Sequence, residues 1–358
     1  MINGVKKIVH SQLKAIRMKR MRDNIVNAHH DMQEYDANKV FDARKYGFNM
    51  SESASYKLNE ENYKEYISTW ESYQPRLANT PYSIISDDKL IFSLVMSSVV
   101  DVPTVYAFIL DGKVEALSGY NITNENLYDF FVANSGGVLK DREGYDGFGI
   151  YVFVSDGSGL IHKGEKVSKS DFEAIISNAK NTVVQKRIVQ GSFENNIFDK
   201  SVNTVRMISI KKKDANEHEI VAAVQRIGTN RSAPMDNFSQ GGGSAVIDLE
   251  TGELSAMTCM DSFDENGERV FYDKHPDTGT QIKGEKIPHW ELVKETIVMI
   301  TRKLPFFNYV AWDIAITDDG IAVIETNMKS SLRVFQVHGG MRNQYLGQKY
   351  REYGYIKD

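Results

Sequence analysis

Along most of the chain, apolar and polar residues change places at a period that can be read. Residues 1–45 are helical in pattern, with no proline and Gly4 as their one glycine; Val5, Ile8, Val9, Leu13 and Ile16 recur at helical spacing. Residues 46–80 are polar and aromatic and read as short helices, one of them starting at Asn59-Glu60-Glu61. Leu90 to Val100 is a largely apolar run, a helix or a buried strand, and its length and the flanking Asp87-Asp88-Lys89 favour a helix. Strands follow at Val105–Leu110 and, after the turn Asp111-Gly112, at Val114–Ala116. Gly137–Lys140, Tyr151–Val154 and Val183–Val184 read as further strands, and Ser170–Ala179 as a helix with Ser170 as its N-cap. Beyond residue 200 the pattern is one of hairpins: Thr204–Ile210 with Ile220–Ile227, then Ser244–Leu249 with Glu253–Met257. A helix from His289 to Leu304 carries Trp290, Val293, Ile297, Ile300 and Leu304 on one face and stops at Pro305. Mixed strands and helices of this kind indicate an α+β architecture.

The last hairpin, Tyr309–Thr317 with Ile321–Thr326, is the most informative segment. A three-residue loop Asp318-Asp319-Gly320, with Gly320 left-handed, pairs Thr317 with Ile321 and, counting back, Asp313 with Glu325. Asn327 then shares their face, while Trp312, Ile314, Ile316 and Ile324 form an apolar face. Two carboxylates side by side repel unless a cation lies between them. Oxygen ligands of this kind suit Mg²⁺. A solvent-facing acidic strand pair accounts for the same spacing equally well.

Composition narrows the classes. The 358 residues suggest two or three domains at roughly 100–200 residues each. Forty-three Lys and Arg against 48 Asp and Glu give a net charge of −5, which argues against a nucleic-acid partner. The single cysteine, Cys259, excludes an intrachain disulfide framework and fits a cytoplasmic setting as a buried structural thiol. The longest apolar run is too short to span a bilayer, and no signal-peptide pattern opens the chain. One local deviation remains. Lys6, Lys7, Lys14, Arg17, Lys19, Arg20 and Arg22 precede the first acid, Asp23, so the first 22 residues form a basic amphipathic segment. It is either a packing helix with a solvated basic face or an arm for peripheral membrane contact.

Other candidate chemistry is sparser. Lys140 precedes the glycine-rich stretch from Gly144 through Gly147 to Gly149, a combination that can approach phosphate but is also common in surface hairpins. Asp236-Asn237-Phe238-Ser239-Gln240-Gly241-Gly242-Gly243 reads as a binding loop in which glycine permits close backbone approach. Arg206 lies inside a strand and could hold phosphate or a carboxylate, although a strand-edge charge is the commoner case. His275 reads as a capping residue. No G-x-x-x-x-G-K-[ST], H-E-x-x-H or G-x-S-x-G motif is present, and no kinase signature set.

The order of these pieces resembles the ATP-grasp superfamily, and most closely the ATP-grasp proteins of polysaccharide and sugar-transfer gene clusters, including the teichuronopeptide-biosynthesis type. The resembling segments are Asp88–Phe92, Gly137–Lys140, Val183–Arg187, Ser201–Arg206, Asp236–Gly242, His275–Gly279, Ile287–Trp290, Trp312–Thr317 and Glu325–Asn327. The resemblance implies an ATP-grasp fold of two α+β lobes enclosing ATP. Residues 1–45 would be a basic helical arm, 46–124 a preceding lobe, 125–190 the glycine-loop subdomain and 191–358 the metal-binding subdomain. Lys140 would touch the phosphates, with Gly144, Gly147 and Gly149 closing over them. Gln185, Lys186 and Ile188 would line the adenine hinge. Related hinges often carry an acid where this chain has Gln185 or Lys186, so Glu194 is the candidate ribose partner. Asp313, Glu325 and Asn327 would hold Mg²⁺, and Arg206 would steady the transferred phosphoryl group. Asn203, Asp236, Asn237, Ser239, Gly241 and Gly242 would border the acceptor. The implied activity is that of an ATP-dependent carboxylate–amine ligase working through an acyl phosphate. It would join an amino acid or amine to a uronic-acid-bearing glycan or its precursor. A small-molecule or glycan kinase on the same fold, and a non-catalytic MgATP-binding partner of a glycan-assembly complex, are the alternatives.

Overall fold

A computed structural model describes residues 15–27, 41–144, 149–328 and 330–357. The chain divides into two compact units, Met1–Leu77 with Lys329–Asp358, and Ala78–Met328.

In the first unit residues 15–26 form helix α1, with Val26 buried. The rest of the basic segment, residues 1–14, lies outside the described residues. The continuous helix expected to residue 45 does not extend through Phe41 and Asp42, and Ala43–Tyr46 is a single 3₁₀ turn. Helix α2 (Met50–Tyr56) is capped by Asn49, whose side chain accepts from the Glu52 N–H. Helix α3 (Thr69–Ala78) starts with a reciprocal cap: the Glu71 carboxylate accepts from the Ser68 N–H at 2.9 Å, and Ser68 Oγ accepts from the Glu71 N–H. The helix expected from Asn59 forms only as turns: the Asn59 side chain accepts from the N–H groups of Glu61 and Asn62, and a single 3₁₀ turn, Tyr63–Glu65, follows. Two C-terminal helices, Arg333–Gln336 and Tyr345–Glu352, complete the unit.

The second unit holds two antiparallel sheets. The first has seven strands: β1 (Val105–Leu110), β2 (Lys113–Ala116), β3 (Gly136–Asp141), β4 (Ile150–Ser155), β5 (Leu160–His162), β6 (Glu165–Val167) and β7 (Asn181–Gln185). Their order is β2-β1-β7-β3-β4-β5-β6, so β1 and β2 share one sheet with the strands that follow residue 124. One face packs Ala107, Ile109, Leu139, Phe153 and Val184 against Phe131 and Phe172 from helices Leu127–Ala133 and Lys169–Asn178. Ser168, two residues earlier than expected, caps the second of these helices by accepting from the Asp171 N–H.

The second sheet runs β11-β10-β9-β8-β12-β13, with β8 (Thr204–Lys211), β9 (His218–Ile227), β10 (Gly243–Val246), β11 (Thr258–Cys259), β12 (Tyr309–Thr317) and β13 (Gly320–Asn327). Its core face carries Val205, Met207, Ala223, Trp312, Ile314 and Ile316, packed against Trp290, Val293, Ile297 and Ile300 of the helix Trp290–Lys303. That stripe at helical spacing is why this helix docks on a sheet. The expected strand Glu253–Met257 is not continuous: isolated bridges at Glu253, Leu254 and Met257 lead into β11.

The last hairpin departs from expectation at its turn. Thr317 pairs with Gly320, so the loop is two residues, Asp318 and Asp319. Ile314 therefore meets Val323, and it is Val323, not Ile324, that enters the core. A bulge between Ile314 and Asp313 then adds one residue to β13 and restores the pair Asp313–Glu325. A one-residue slip would have turned Glu325 to the other face.

Candidate active site

The site begins from register. Glu325, Asp313 and Arg206 lie directly across from one another on β13, β12 and β8. Strand partners point to the same face, so this face is charged where the opposite one carries Trp312 and Ile314. Arg226 of β9 lies opposite Thr204, two residues from Arg206, and joins the same face. Asp313 is 4% exposed. Arg206 holds it in a fork, with Nε on Oδ1 and Nη2 on Oδ2 at 2.8 Å, and Arg226 Nη1 also reaches Oδ2 at 3.3 Å. A forked guanidinium–carboxylate pair is the strongest arrangement such groups adopt. Arg226 in turn pairs with Asp236, whose other oxygen accepts from Thr204 Oγ1. The Asn327 amide donates to Glu325 Oε1 at 3.0 Å and lies 3.5 Å from Asp313 Oδ2. It therefore bridges the two carboxylates.

Two lysines face this row, Lys140 from the other sheet and Lys89 from the first turn of the helix Lys89–Met96. Lys140 on β3 pairs with Val183, and Gln185, two residues along β7, shares its face, the one turned away from the two helices. Lys89 follows Asp88, which accepts from the Leu90 and Ile91 N–H groups and is gripped by Arg142. That double hold fixes the root of Lys89, and its ammonium donates to the Gly144 carbonyl at 2.7 Å. Burial holds Lys140 below the usual ammonium range against the pull of Glu325, and Lys89 pushes it further down. Burial raises the Glu325 carboxyl, but Lys89, Lys140 and the Asn327 hydrogen bond outweigh it, leaving Glu325 below its ordinary range. Burial holds Asp313 above its ordinary range in spite of the two arginines. Arg226 is stripped of water too, yet Asp236, Asp313 and Glu325 more than compensate, so it stays charged.

The structure thus gathers Arg206, Lys140, Asp236, Asp313, Glu325 and Asn327. Two members of the cluster, Lys89 and Arg226, were given no site role from the sequence. Lys89 was signalled only by its place in the resembling segment Asp88–Phe92. Arg226 adjoins Gln225, so polar residues fall on both faces of β9 and alternation hides which of them faces the site.

Other expected residues lie elsewhere. Gln185 is buried at the end of β7, and the Lys186 N–H donates to the Thr104 carbonyl, with Ile188 half-buried just beyond. Of the glycine loop, Gly144 and Gly149 are described, and Gly147 lies outside the described residues. Asn203 is fully buried and spends its side chain on the carbonyls of Glu194 and Phe198 and the N–H of Gly228. Glu194 is 0% exposed and accepts from Gln225 Nε2 at 3.0 Å. Gln225 pairs with Val205 and so lies on the core face, which puts Glu194 behind the sheet, away from the charged cluster. Burial raises the Glu194 carboxyl to about 8. Asn237 caps the 3₁₀ turn Phe238–Gln240 by accepting from Ser239, which is exposed. A Cβ on Gly242 would come within 2.6 Å of the Asp236 carbonyl, and Gly241, at φ +104, packs on Arg231. The close approach these glycines permit is therefore to the chain's own loop. His275 is buried; its Nδ1 faces the N–H groups of Asp277 and Thr278 and its Nε2 the Gly228 carbonyl, a turn-building role as expected.

Could the cluster hold a divalent cation? Among the described residues no three His, Cys, Asp or Glu side chains form a metal cluster. The expected set, however, is two carboxylates and an amide, all hard donors. Asn327 already places an N–H between the carboxylates, where positive charge is favoured, and turning that amide over would offer its oxygen instead. The donor set fits, provided Asp313 gives up part of its hold on Arg206.

The chain matches the model of the sugar-transfer associated ATP-grasp family over residues 69–346. No curated protein matches it in sequence. Solved structures similar to it include the ATP-grasp ligase PsnB complexed with precursor peptide PsnA2 and AMPPNP, at 14% identity over 77% of this chain and 60% of that one, TM-score 0.38. Also similar are the D-alanine–D-alanine ligases of Bacillus anthracis (13%, 75% and 67%, TM-score 0.38) and Helicobacter pylori (13%, 75% and 61%, TM-score 0.41). The chain spans about three-fifths of the length of the PsnB chain it matches.

Proposed function

Because the chain belongs to the sugar-transfer associated ATP-grasp family, we propose that it is an ATP-dependent ligase that joins a carboxylate to an amine. The observation that carries this reading is the row Glu325–Asp313–Arg206 across three neighbouring strands, faced by Lys140 from a second sheet and by Lys89 from the start of the helix Lys89–Met96. Alternating cations and carboxylates suit a substrate whose charge shifts during reaction, which is the case in phosphoryl transfer.

In this reading ATP lies between the two sheets, the one before residue 190 supplying the glycine loop and the one after it the metal ligands. Lys140 and Lys89 meet the phosphates, and the loop from Gly144 to Gly149 excludes water. Gln185, Lys186 and Ile188 border the base. Asp313, Glu325 and Asn327 would hold Mg²⁺, whose contribution is to offset phosphate charge. Arg206, drawn from Asp313, steadies the γ-phosphoryl group. A substrate carboxylate oxygen attacks the γ-phosphorus, the bond to the bridging oxygen breaks, and ADP leaves. The amine nitrogen then attacks the acyl carbon, phosphate departs, and the ammonium proton passes to solvent. No protein nucleophile takes part. The Asp236–Gly242 loop borders the acceptor. The family's description points to a sugar context, so the carboxylate is assigned to a uronic-acid-bearing glycan or its precursor and the amine to an amino acid, in the cytoplasm.

The test is release of ADP and phosphate from the purified protein with pooled amino acids and uronic acids. Release that needs both partners, yields a product heavier by one condensation and disappears in Glu325→Gln supports the ligase. A stable phosphorylated product would replace it with a kinase. MgATP binding with no turnover of any acceptor would replace it with a non-catalytic partner.

A further inference from the structure

The first unit carries a surface that the ligase chemistry does not use. Helix α1 turns Met18, Met21, Arg22 and Ile25 inward to partial burial, and Val26 is buried. These positions recur at three and four residues and define the packed side. The outer side carries Arg17, Lys19 and Arg20, all exposed, with Ile16 52% exposed among them. The helix is latched from its packed side: Arg22 Nη2 donates to the Lys45 carbonyl at 3.0 Å and to the Arg44 carbonyl at 3.3 Å. This sets the basic helix beside the turn Ala43–Tyr46, which adds an exposed Lys45 and an exposed Tyr46.

Tyr46 is held outward by its neighbours. It stacks on Phe41 at 5.5 Å and meets Tyr63 at a tilt of 36°, 4.1 Å between ring centroids. The acids within the patch are already engaged: Asp23 lies 3.8 Å from Arg22, and Asp42 accepts from Arg44 at 2.8 Å. Glu60, whose charge reaches Tyr46, bounds it. The uncompensated charge is therefore that of Arg17, Lys19, Arg20 and Lys45, next to one exposed isoleucine and a braced tyrosine.

We infer that this surface docks on a membrane rich in anionic lipid headgroups. Exposed cations on one helix side supply long-range attraction, and their long stems let the charged ends reach headgroups. A tyrosine with an apolar ring and a polar tip suits the headgroup level of a bilayer. Ile16 adds shallow apolar contact. No helix among the described residues is long and apolar enough to cross a membrane, and the contact proposed is with the headgroup layer. This inference is independent of the ligase reading, because none of these residues lies in the charged cluster.

The experiment is co-sedimentation of the full chain with vesicles of phosphatidylcholine alone or mixed with phosphatidylglycerol, at low and high salt. Wild type should bind the mixed vesicles, ignore the neutral ones, and be released by salt. The triple variant Arg17→Gln/Lys19→Gln/Arg20→Gln should bind roughly fivefold more weakly per cation removed, on the order of a hundredfold in all. Tyr46→Ser should bind severalfold more weakly. Circular dichroism of each variant checks that the chain remains folded, and MgATP binding should be unchanged in both. Equal binding to both vesicle types, no binding to either, or a triple variant that binds as wild type would overturn the inference while leaving the ligase reading intact.

Discussion

The two faces of the six-stranded sheet handle buried polarity in opposite ways. On the charged face Asp313 and Arg206 are partners across strands, and Asp236 pairs with Arg226 two residues along. On the core face the polar groups are bound by neutral hydrogen bonds: the Trp312 indole donates to Ser209, Ser209 meets His218, and Glu194 is met by Gln225. On the charged face carboxylates and cations offset one another, although burial still holds Asp313 above its ordinary range and Lys140 below its own. On the core face burial pushes Glu194 up to about 8 and His218 down to about 4, so both groups shed charge near neutrality. A charged side chain is thus kept charged only where it is paired, and the paired face is the one able to rearrange around a polyanion.

Glu325→Gln should break the comparison most cleanly. It removes charge from the paired face without changing shape, so ADP release should fall by about 10²–10³-fold, with a lower melting temperature because Lys89 and Lys140 lose the carboxylate that offsets them. Ile314→Ala makes the reverse cut. It opens a cavity beneath Asp313 and should cost about 2–5 kcal/mol in denaturant unfolding, with turnover per folded molecule close to wild type. If Ile314→Ala instead lowers turnover as far as Glu325→Gln does, the two faces are not separable. A smaller effect tests the fork itself: Arg206→Met and Asp313→Asn should each destabilise by about 1–3 kcal/mol. The double variant should cost clearly less than their sum in a denaturation cycle. Full additivity would show that the fork contributes nothing of its own.

Alternation made much of this legible in the sequence. The apolar stripe from Trp290 to Ile300 announced a helix on a sheet, and the face shared by Asp313, Glu325 and Asn327 could be counted. That count reached the right pair through two errors that cancel. The loop is a residue shorter than assumed, and a bulge near Ile324, which no local pattern marks, gives the residue back. What stayed hidden was non-local. Lys89 reaches the site because Asp88 is clasped by Arg142, 54 residues away. Asn203 and Glu194 were placed at ligands by the family resemblance alone. Their burial is set by Gln190, Phe198 and Gln225, and no spacing reveals those contacts.

The pH dependence of stability gives the finest test, because Glu194 and His218 act with opposite sign. Glu194 is raised from 4.5 to about 8 in the folded chain. Between those values the native state holds a proton that the unfolded chain has released, so stability falls as pH rises, by about 1.4 kcal/mol per unit. His218 is lowered from 6.5 to about 4, so its contribution is complete above 6.5 and is lost as pH falls toward 4. The two oppose each other below 6.5, which leaves 6.5 to 8 as the window where Glu194 acts alone of this pair. Over it wild type should lose about 2 kcal/mol, read as a falling urea midpoint. Glu194→Gln carries no charge at any pH and should hold its midpoint across the same window. Parallel profiles for the two proteins would mean that Glu194 is ionised in the folded chain, and that the core face tolerates unpaired charge after all.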